Sequence, residues 1–137
     1  MDKMTPEFCR VKNDPPYSYG DCLRACLASL LDLPTEDVPH FVKDGCEPEV
    51  TYQRVRDWLA EGNLIPMFSG YAASETPDDV LHFMGETNPG VWYILFSADH
   101  AVVCCGGEIA HDPAWVRARL VPPTDMWITM VLTHECR

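Results

Sequence analysis

The chain has 137 residues, of which 47% are hydrophobic and 23% charged. This length and composition are typical of one globular domain, 1–137, with a single core, and they exclude a disordered or fibrous protein. The opening segment MDKMTPEFCR contains acidic residues and a proline but no apolar run, and no later run is long enough to span a bilayer. We therefore expect a cytoplasmic protein without a membrane partner.

The net charge of −11 is unevenly distributed. Between Leu64 and Trp115 the sequence has no lysine or arginine but has seven acidic residues: Glu75, Asp78, Asp79, Glu86, Asp99, Glu108 and Asp112. Because the phosphates of nucleic acids are repelled by such a field, we expect no nucleic-acid partner. Among possible partners, a basic substrate or another cation is the better hypothesis, but acidic loops that only maintain solubility are the interpretation to which we give more weight.

Helices are predicted in the first part of the chain, after an irregular surface arm at residues 1–20 that contains three prolines. In YGDCLRACLASLLDL, Asp21 is a favourable N-cap and the apolar residues recur at helical spacing, which predicts a central helix. A second helix is expected between about Pro48 and Glu61, and a short one at Asp78–Phe83. LIPMFSGY is consistent with a short edge strand.

Strands dominate the carboxyl-terminal part of the chain. GVWYILFSA and HAVVCC are rich in β-branched and aromatic residues, the glycine pair after HAVVCC predicts a hairpin with EIAHD, and MWITMVLTHE predicts a further strand. We therefore predict an α+β fold with an antiparallel sheet of at least four strands, helical in residues 21–63 and mainly β in residues 64–137.

Cys22 lies in the first turn of the predicted central helix. The amino terminus of a helix lowers the pKa of a cysteine through its free N–H groups and the positive end of the helix dipole. Cys26, one turn later on the same face, lacks this effect and serves as an internal comparison. The chain has seven cysteines and no export signal, so we expect reduced thiols, six of them as small apolar residues.

A nucleophilic cysteine needs a base, and the base needs a third group that orients its ring. Of the five histidines, His100 opens the strand HAVVCC, and Asp112 ends the returning strand. A two-residue turn at 106–107 would put His111 on the face of His100, whereas a three-residue loop at 105–107 would put Asp112 opposite His100. We favour the three-residue loop with a bulge, because glycine accepts the left-handed conformation that this loop requires.

In this order, GDCLRACLASLLDL, HAVV and HDP resemble segments of the papain-like cysteine peptidases, in particular their small bacterial and phage-encoded members related to the bacteriocin-processing peptidases. The resemblance implies a papain-like fold in which a central N-terminal helix packs on an antiparallel sheet, with no cofactor or metal. It makes Cys22 the nucleophile, His100 the general base and acid, and Asp112 the orienting residue. The implied activity is cleavage of a peptide, isopeptide or related amide bond in a peptide or protein substrate.

One part of the family pattern is missing, since papain-like enzymes usually have a glutamine before the cysteine that stabilises the oxyanion. The only glutamine here is Gln53, far downstream. Asn13 is a candidate substitute, as is the hydroxyl of Tyr17 or Tyr19. The missing glutamine also fits a catalytically weak or inactive papain-like scaffold that acts as a binding or regulatory protein. A transamidase or acyltransferase, in which an amine resolves the acyl-enzyme, is a third interpretation.

A zinc site is the other chemistry that the hairpin suggests, because four potential ligands cluster there: His100, Cys104, Cys105 and His111. Adjacent strand residues point to opposite faces, so the two cysteines cannot both face one ion. The sequence also has no CxxC pair, and we therefore disfavour zinc.

Overall fold

A computed structural model describes residues 4–72, 74–97, 100–114 and 126–134. Within these residues the chain forms three α-helices, one 3₁₀ turn and five strands: α1 (Cys22–Leu31), the turn Thr35–Asp37, α2 (Pro48–Ala60), β1 (Leu64–Ala72), α3 (Pro77–Thr87), β2 (Trp92–Phe96), β3 (Ala101–Cys105), β4 (Glu108–His111) and β5 (Met126–His134). The strand order is β1-β5-β2-β3-β4, and every neighbouring pair is antiparallel. The predicted α+β class is confirmed.

Helices cover both faces of the sheet. Ile94 and Phe96 of β2 pack in a cluster with residues of α1 and α2, whereas Tyr93 and Leu95 pack with α3. This alternation follows from the period of two along a strand, which sends successive side chains to opposite faces. The site-bearing helix α1 therefore lies on one side of the sheet and α3 on the other.

The central helix begins and ends close to where its sequence pattern predicted. Ala25 to Leu30 are all buried, and the chain leaves the helix at Asp32, which has a left-handed φ of 57°. Burial around most of its circumference matches the near absence of charged residues in the segment. Its position in the core holds the amino terminus of α1, and with it Cys22, in a fixed place.

Two other predictions differ in detail from the structure. The second helix was predicted correctly, but the edge strand β1 has nine residues and is not short. The predicted helix Asp78–Phe83 extends to Thr87, because Met84 continues the buried stripe of Val80 and Leu81. Gly85 hid this continuation, since glycine has a low helix propensity.

The amino-terminal arm forms no helix or strand in residues 4–20 apart from one isolated bridge, but it is not merely a surface segment. Its Thr5 N–H donates to Ser29 O at 3.2 Å, and its Cys9 N–H donates to Pro113 O at 3.0 Å. Cys9 is only 7% exposed. The arm is thereby held against α1 and against the residues that follow β4.

None of the helices in the described parts of the chain combines the length and the apolar character needed to cross a membrane.

Candidate catalytic site

Asp21 occupies the N-cap position of α1, but its side chain does not cap the helix, and this part of the sequence interpretation was wrong. The carboxylate turns instead toward the arm, where Oδ1 accepts the N–H groups of Arg10 at 2.9 Å and Val11 at 3.0 Å. Asp21 is fully buried, and Arg24 is its nearest cation, with Nη1 at 3.4 Å from Oδ2. Asp21 therefore fastens the arm beside the amino terminus of α1.

Cys22, His100 and Asp112 meet in the structure although they are far apart in the sequence. His100 Nε2 lies 2.9 Å from Asp112 Oδ1, and the ring of His100 is close enough to the thiol of Cys22 for hydrogen bonding between them to lower the pKa of that thiol. Because Nε2 is engaged by the carboxylate, Nδ1 is the ring nitrogen left to face the sulfur. The His100 side chain is 8% exposed, which holds the ring in one orientation between its two partners.

The hairpin that brings His100 and Asp112 together is not the one that the sequence led us to favour. Its ladder pairs Cys105 with Glu108, so the turn contains only Gly106 and Gly107, and Gly106 has a φ of +57°. The three-residue loop is thus wrong. Glycine at 106 is required because other residues seldom adopt a positive φ.

A β-bulge puts Asp112 on the same face as His100, whereas the two-residue turn without the bulge would put His111 there. The register shifts between Val103 and Cys104, so that Val103 pairs with His111 rather than with Ala110. Because a one-residue shift moves side chains to the other face, the shift brings Asp112 to the side of His100 in place of His111. His111 instead bonds the backbone oxygen of Glu7 through Nε2 at 2.6 Å.

The thiol of Cys22 has an unexpected neighbour, since its sulfur lies 3.1 Å from that of Cys9. The hydrogen bond from Cys9 is the strongest influence that lowers the pKa of Cys22 to about 5, burial opposes it, and the His100 ring lowers the pKa further. The same contact and burial raise the pKa of Cys9. These directions favour Cys22 as the thiolate of the pair, because His100 lowers the pKa of Cys22 as well, and they favour Cys9 as the S–H donor.

The imidazole of His100 is shifted in the complementary direction. Its burial lowers its pKa, but the hydrogen bond and the charge of Cys22 outweigh burial, and Asp112 adds to them, so that the pKa is raised above its usual value. A lowered thiol pKa beside a raised imidazole pKa defines a thiolate–imidazolium pair over an intermediate pH range.

The pKa of Cys26 is not lowered like that of Cys22, as its position inside the helix predicts. It is completely buried one turn below Cys22, and burial, followed by the charge of Cys22, raises its pKa. Two cysteines on one helix face thus differ because only Cys22 has hydrogen-bond partners and a place at the helix terminus.

The two tyrosines and the asparagine considered as oxyanion donors occupy different places. Asn13 lies directly against Gly20: its Oδ1 accepts the Gly20 N–H at 3.1 Å, and a Cβ at position 20 would lie only 3.0 Å from its own Cβ. Tyr19 packs its ring on Gly45, and Tyr17 is 87% exposed. Asn13 is therefore the candidate whose side chain contacts Gly20, two residues before Cys22.

Within the described residues, no group of three or more His, Cys, Asp or Glu side chains is arranged to hold a metal ion. His100 and His111 have the separate partners described above, and Cys104 is fully buried.

Cys9 and the linking role of Asp21 are the features of the site that sequence reasoning missed. Cys9 lies in a proline-containing arm without hydrophobic periodicity, so nothing local indicates that it is buried beside Cys22. The sequence shows only an odd number of cysteines and an aspartate immediately before one of them. This pattern does not indicate which residue lies beside Cys22.

Comparison of the chain with known protein families, with curated proteins and with solved structures finds no match.

Proposed function

We propose that the protein is a papain-like cysteine hydrolase that cleaves a peptide, isopeptide or related amide bond through an acyl-enzyme on Cys22. The observation that carries the proposal is the 2.9 Å contact between His100 Nε2 and Asp112 Oδ1, with Cys22 close enough to the same ring for hydrogen bonding to His100 to lower the pKa of its thiol. Nucleophile, base and orienting group in this order are the minimal set for thiol-dependent acyl transfer.

The first half of the reaction follows from the protonation states. The Cys22 thiolate attacks the carbonyl carbon, and a tetrahedral oxyanion forms. The His100 imidazolium then donates its proton to the leaving nitrogen, the C–N bond breaks, and the acyl group stays on sulfur as a thioester. Asp112 accepts the Nε2–H of the ring throughout and keeps Nδ1 directed at the reacting atoms.

The oxyanion is stabilised in this proposal by two donors. Cys22 is the first residue of α1, where the N–H groups have no partner within the helix, and the backbone N–H of Cys22 is the first donor. The second is the side-chain amide of Asn13: because its Oδ1 is held by the Gly20 N–H, its NH₂ group is left to donate.

Water completes the cycle when His100, now neutral, removes a proton from it and the thioester is hydrolysed. An amine at the same position would give transamidation instead, with the same acyl-enzyme. The thiolate of Cys22 supports an active enzyme over an inactive scaffold, because a scaffold that only binds a partner has no need of a cysteine with a pKa of about 5.

The proposed substrate is a peptide or protein that carries basic residues, as the net charge of −11 suggests. Asp78, Asp79 and Glu86 are exposed on α3, which packs on the sheet face opposite α1. These acids would thus attract a cation through the overall field rather than by contact at the site. A peptide library should then show a basic preference that weakens with salt, and an acidic preference would contradict the proposal.

The decisive experiment is labelling with a thiol-directed peptide electrophile. Labelling should be lost in Cys22→Ala and strongly reduced in His100→Ala, and it should persist in Cys26→Ala and His111→Ala, which alter a cysteine on the same helix and a histidine on the same hairpin. Equal labelling of all five proteins would overturn the catalytic proposal. Addition of a primary amine with a cleavable peptide distinguishes transamidation from hydrolysis by the mass of the product.

A further inference from the structure

We propose that Cys9 and Cys22 form a peroxide-reactive thiol pair, in which a hydroperoxide oxidises Cys22 and Cys9 resolves the product into a reversible disulfide that switches the enzyme off. The inference deepens the proposed function, since it rests on the same nucleophilic Cys22, but the disulfide can be detected without any substrate of the hydrolase.

The geometry of the two sulfurs is the main support. They lie 3.1 Å apart, and a disulfide bond is about 2 Å long, so an approach of about 1 Å suffices to form it. The backbone on each side of this contact is fastened: the Cys9 N–H bonds Pro113 O at 3.0 Å, and the Arg10 N–H bonds Asp21 Oδ1 at 2.9 Å. The hydrogen bonds of the Cys9 and Arg10 backbone N–H groups thus hold Cys9 beside the nucleophile.

The two cysteines also differ in access. Cys9 is buried, whereas Cys22 is partly exposed, so a small hydroperoxide reaches Cys22 first. A thiolate is the form of cysteine that peroxides oxidise, and Cys22 is the thiolate of the pair. In this pair, Cys22 is the cysteine that attacks the peroxide, and Cys9 is the resolving cysteine.

The chemistry balances in two steps. In the first, the Cys22 thiolate attacks the terminal oxygen of a hydroperoxide ROOH, the O–O bond breaks, and the leaving alkoxide takes the proton of the His100 imidazolium to become ROH. Sulfur is oxidised by two electrons to a sulfenic acid, and the peroxide is reduced by the same two. In the second, the sulfur of Cys9 attacks the sulfur of Cys22, the S–O bond breaks, and the hydroxide leaves with the Cys9 proton as water.

Oxidation of Cys22 also prepares Cys9 for the second step. The hydrogen bond to Cys22, followed by burial and by the Cys22 charge, raises the pKa of Cys9 while Cys22 is a thiolate. A sulfenic acid is neutral at that sulfur, so the hydrogen bond to a thiolate and its charge no longer raise the pKa of Cys9, and of these three causes only burial still does. A low-molecular-weight thiol or a dithiol protein then returns two electrons by thiol–disulfide exchange and restores both cysteines.

The test uses the full chain, reduced and then exposed to stoichiometric hydrogen peroxide without substrate. Peptide mapping under non-reducing conditions should find a Cys9–Cys22 disulfide, and labelling by the peptide electrophile should be lost and then fully recovered with dithiothreitol. In Cys9→Ser the sulfenic acid should persist long enough to be trapped by dimedone, and excess peroxide should abolish labelling irreversibly through the sulfinic acid. Cys46→Ala, which removes another partly exposed cysteine, should behave as the wild type.

Two outcomes would overturn the inference: no Cys9–Cys22 disulfide in a chain whose Cys22 is oxidised, or equal recovery of the wild type and Cys9→Ser by dithiothreitol after treatment with excess peroxide. A thermal melt of each variant confirms that it is folded before the comparison is made. Failure of the proposed function is recognised separately, because a chain could form the disulfide and cleave no amide, or label at Cys22 and never form the disulfide.

Discussion

One oxygen of the Asp112 carboxylate contacts both the ring of His100 and a backbone N–H group. Oδ1 lies 2.9 Å from His100 Nε2 and accepts the N–H of Ala114 at 3.0 Å. The orienting group is therefore itself oriented by the chain immediately after it. These two hydrogen bonds require only an acceptor oxygen at this position. The negative charge of the carboxylate makes a separate contribution to the site.

Substitution of Asp112 can separate these two contributions. Asp112→Ala should lower kcat/KM by about 100-fold, because the ring loses the group that fixes it. Asp112→Asn keeps an oxygen for both donors, so its loss should be smaller. Removal of the charge takes away one of the influences that raise the pKa of His100, and the alkaline limb of the pH–rate profile should move to lower pH. Equal losses in the two variants would contradict the orienting role.

The sequence allowed the elements of this site to be predicted because they depend on local patterns. Apolar spacing and a helix start indicated where Cys22 lies, and strand composition indicated that His100 and Asp112 flank one hairpin. The register between β3 and β4 could not be predicted from the sequence, because a two-residue turn with a bulge and a three-residue loop use the same glycines. The position of Cys9 could not be predicted either, since it is determined by hydrogen bonds that the Arg10 N–H donates to Asp21 and the Cys9 N–H donates to Pro113 O, and both acceptors are distant in the sequence.

The pH dependence of thiol alkylation tests the shifted pKa of Cys22. Its pKa of about 5 is below the usual value, so the thiolate persists at neutral pH and is lost only as the pH falls through about 5. The rate of iodoacetamide labelling at Cys22, followed by mass spectrometry, should thus rise near pH 5 and be constant at neutral pH. A midpoint near 8.5, the value of an ordinary thiol at about 25 °C, would contradict this assignment.

Cys9 variants show how much of that shift comes from the neighbouring thiol. Cys9→Ala removes the hydrogen-bond donor that contributes most to the lowered pKa, so the labelling midpoint should move to higher pH. Cys9→Ser retains a donor and should move it less. Cys46→Ala is the matched control, because Cys46 contacts Thr51 at 3.3 Å and is not part of the site. A midpoint unchanged in Cys9→Ala would assign the shift to His100 and the helix terminus alone.

Asp21→Ala should destabilise the fold by about 3 kcal/mol, because it leaves the Arg10 and Val11 N–H groups without their acceptor and removes a buried ion-pair partner of Arg24. The free energy of unfolding in urea measures this. Asp21→Asn keeps one acceptor oxygen and should lose less. The exposed carboxylate of Asp37 is the control, and Asp37→Asn should change the stability by less than about 0.5 kcal/mol. A similar small effect at Asp21 would show that the arm is not fastened there.

Asn13 offers the sharpest test of oxyanion stabilisation, because one substitution removes the donor and keeps the acceptor. Asn13→Asp retains Oδ1 for the Gly20 N–H, which holds the side chain in place, but has no NH₂ group to donate. We expect kcat to fall by about 100-fold or more with KM little changed, since the donor acts on charge that develops only in the transition state.

The matched comparison is Tyr19→Phe, which removes a hydroxyl that lies against Gly45 and leaves the ring packed there. Its kcat should stay within about twofold of the wild type, because the hydroxyl is not one of the two proposed oxyanion donors and its loss should leave the barrier nearly unaltered. The alkylation rate of Cys22 should be similar in Tyr19→Phe and the wild type, which shows that the thiolate is intact. A large loss of kcat in Tyr19→Phe with none in Asn13→Asp would transfer the oxyanion role to the tyrosine.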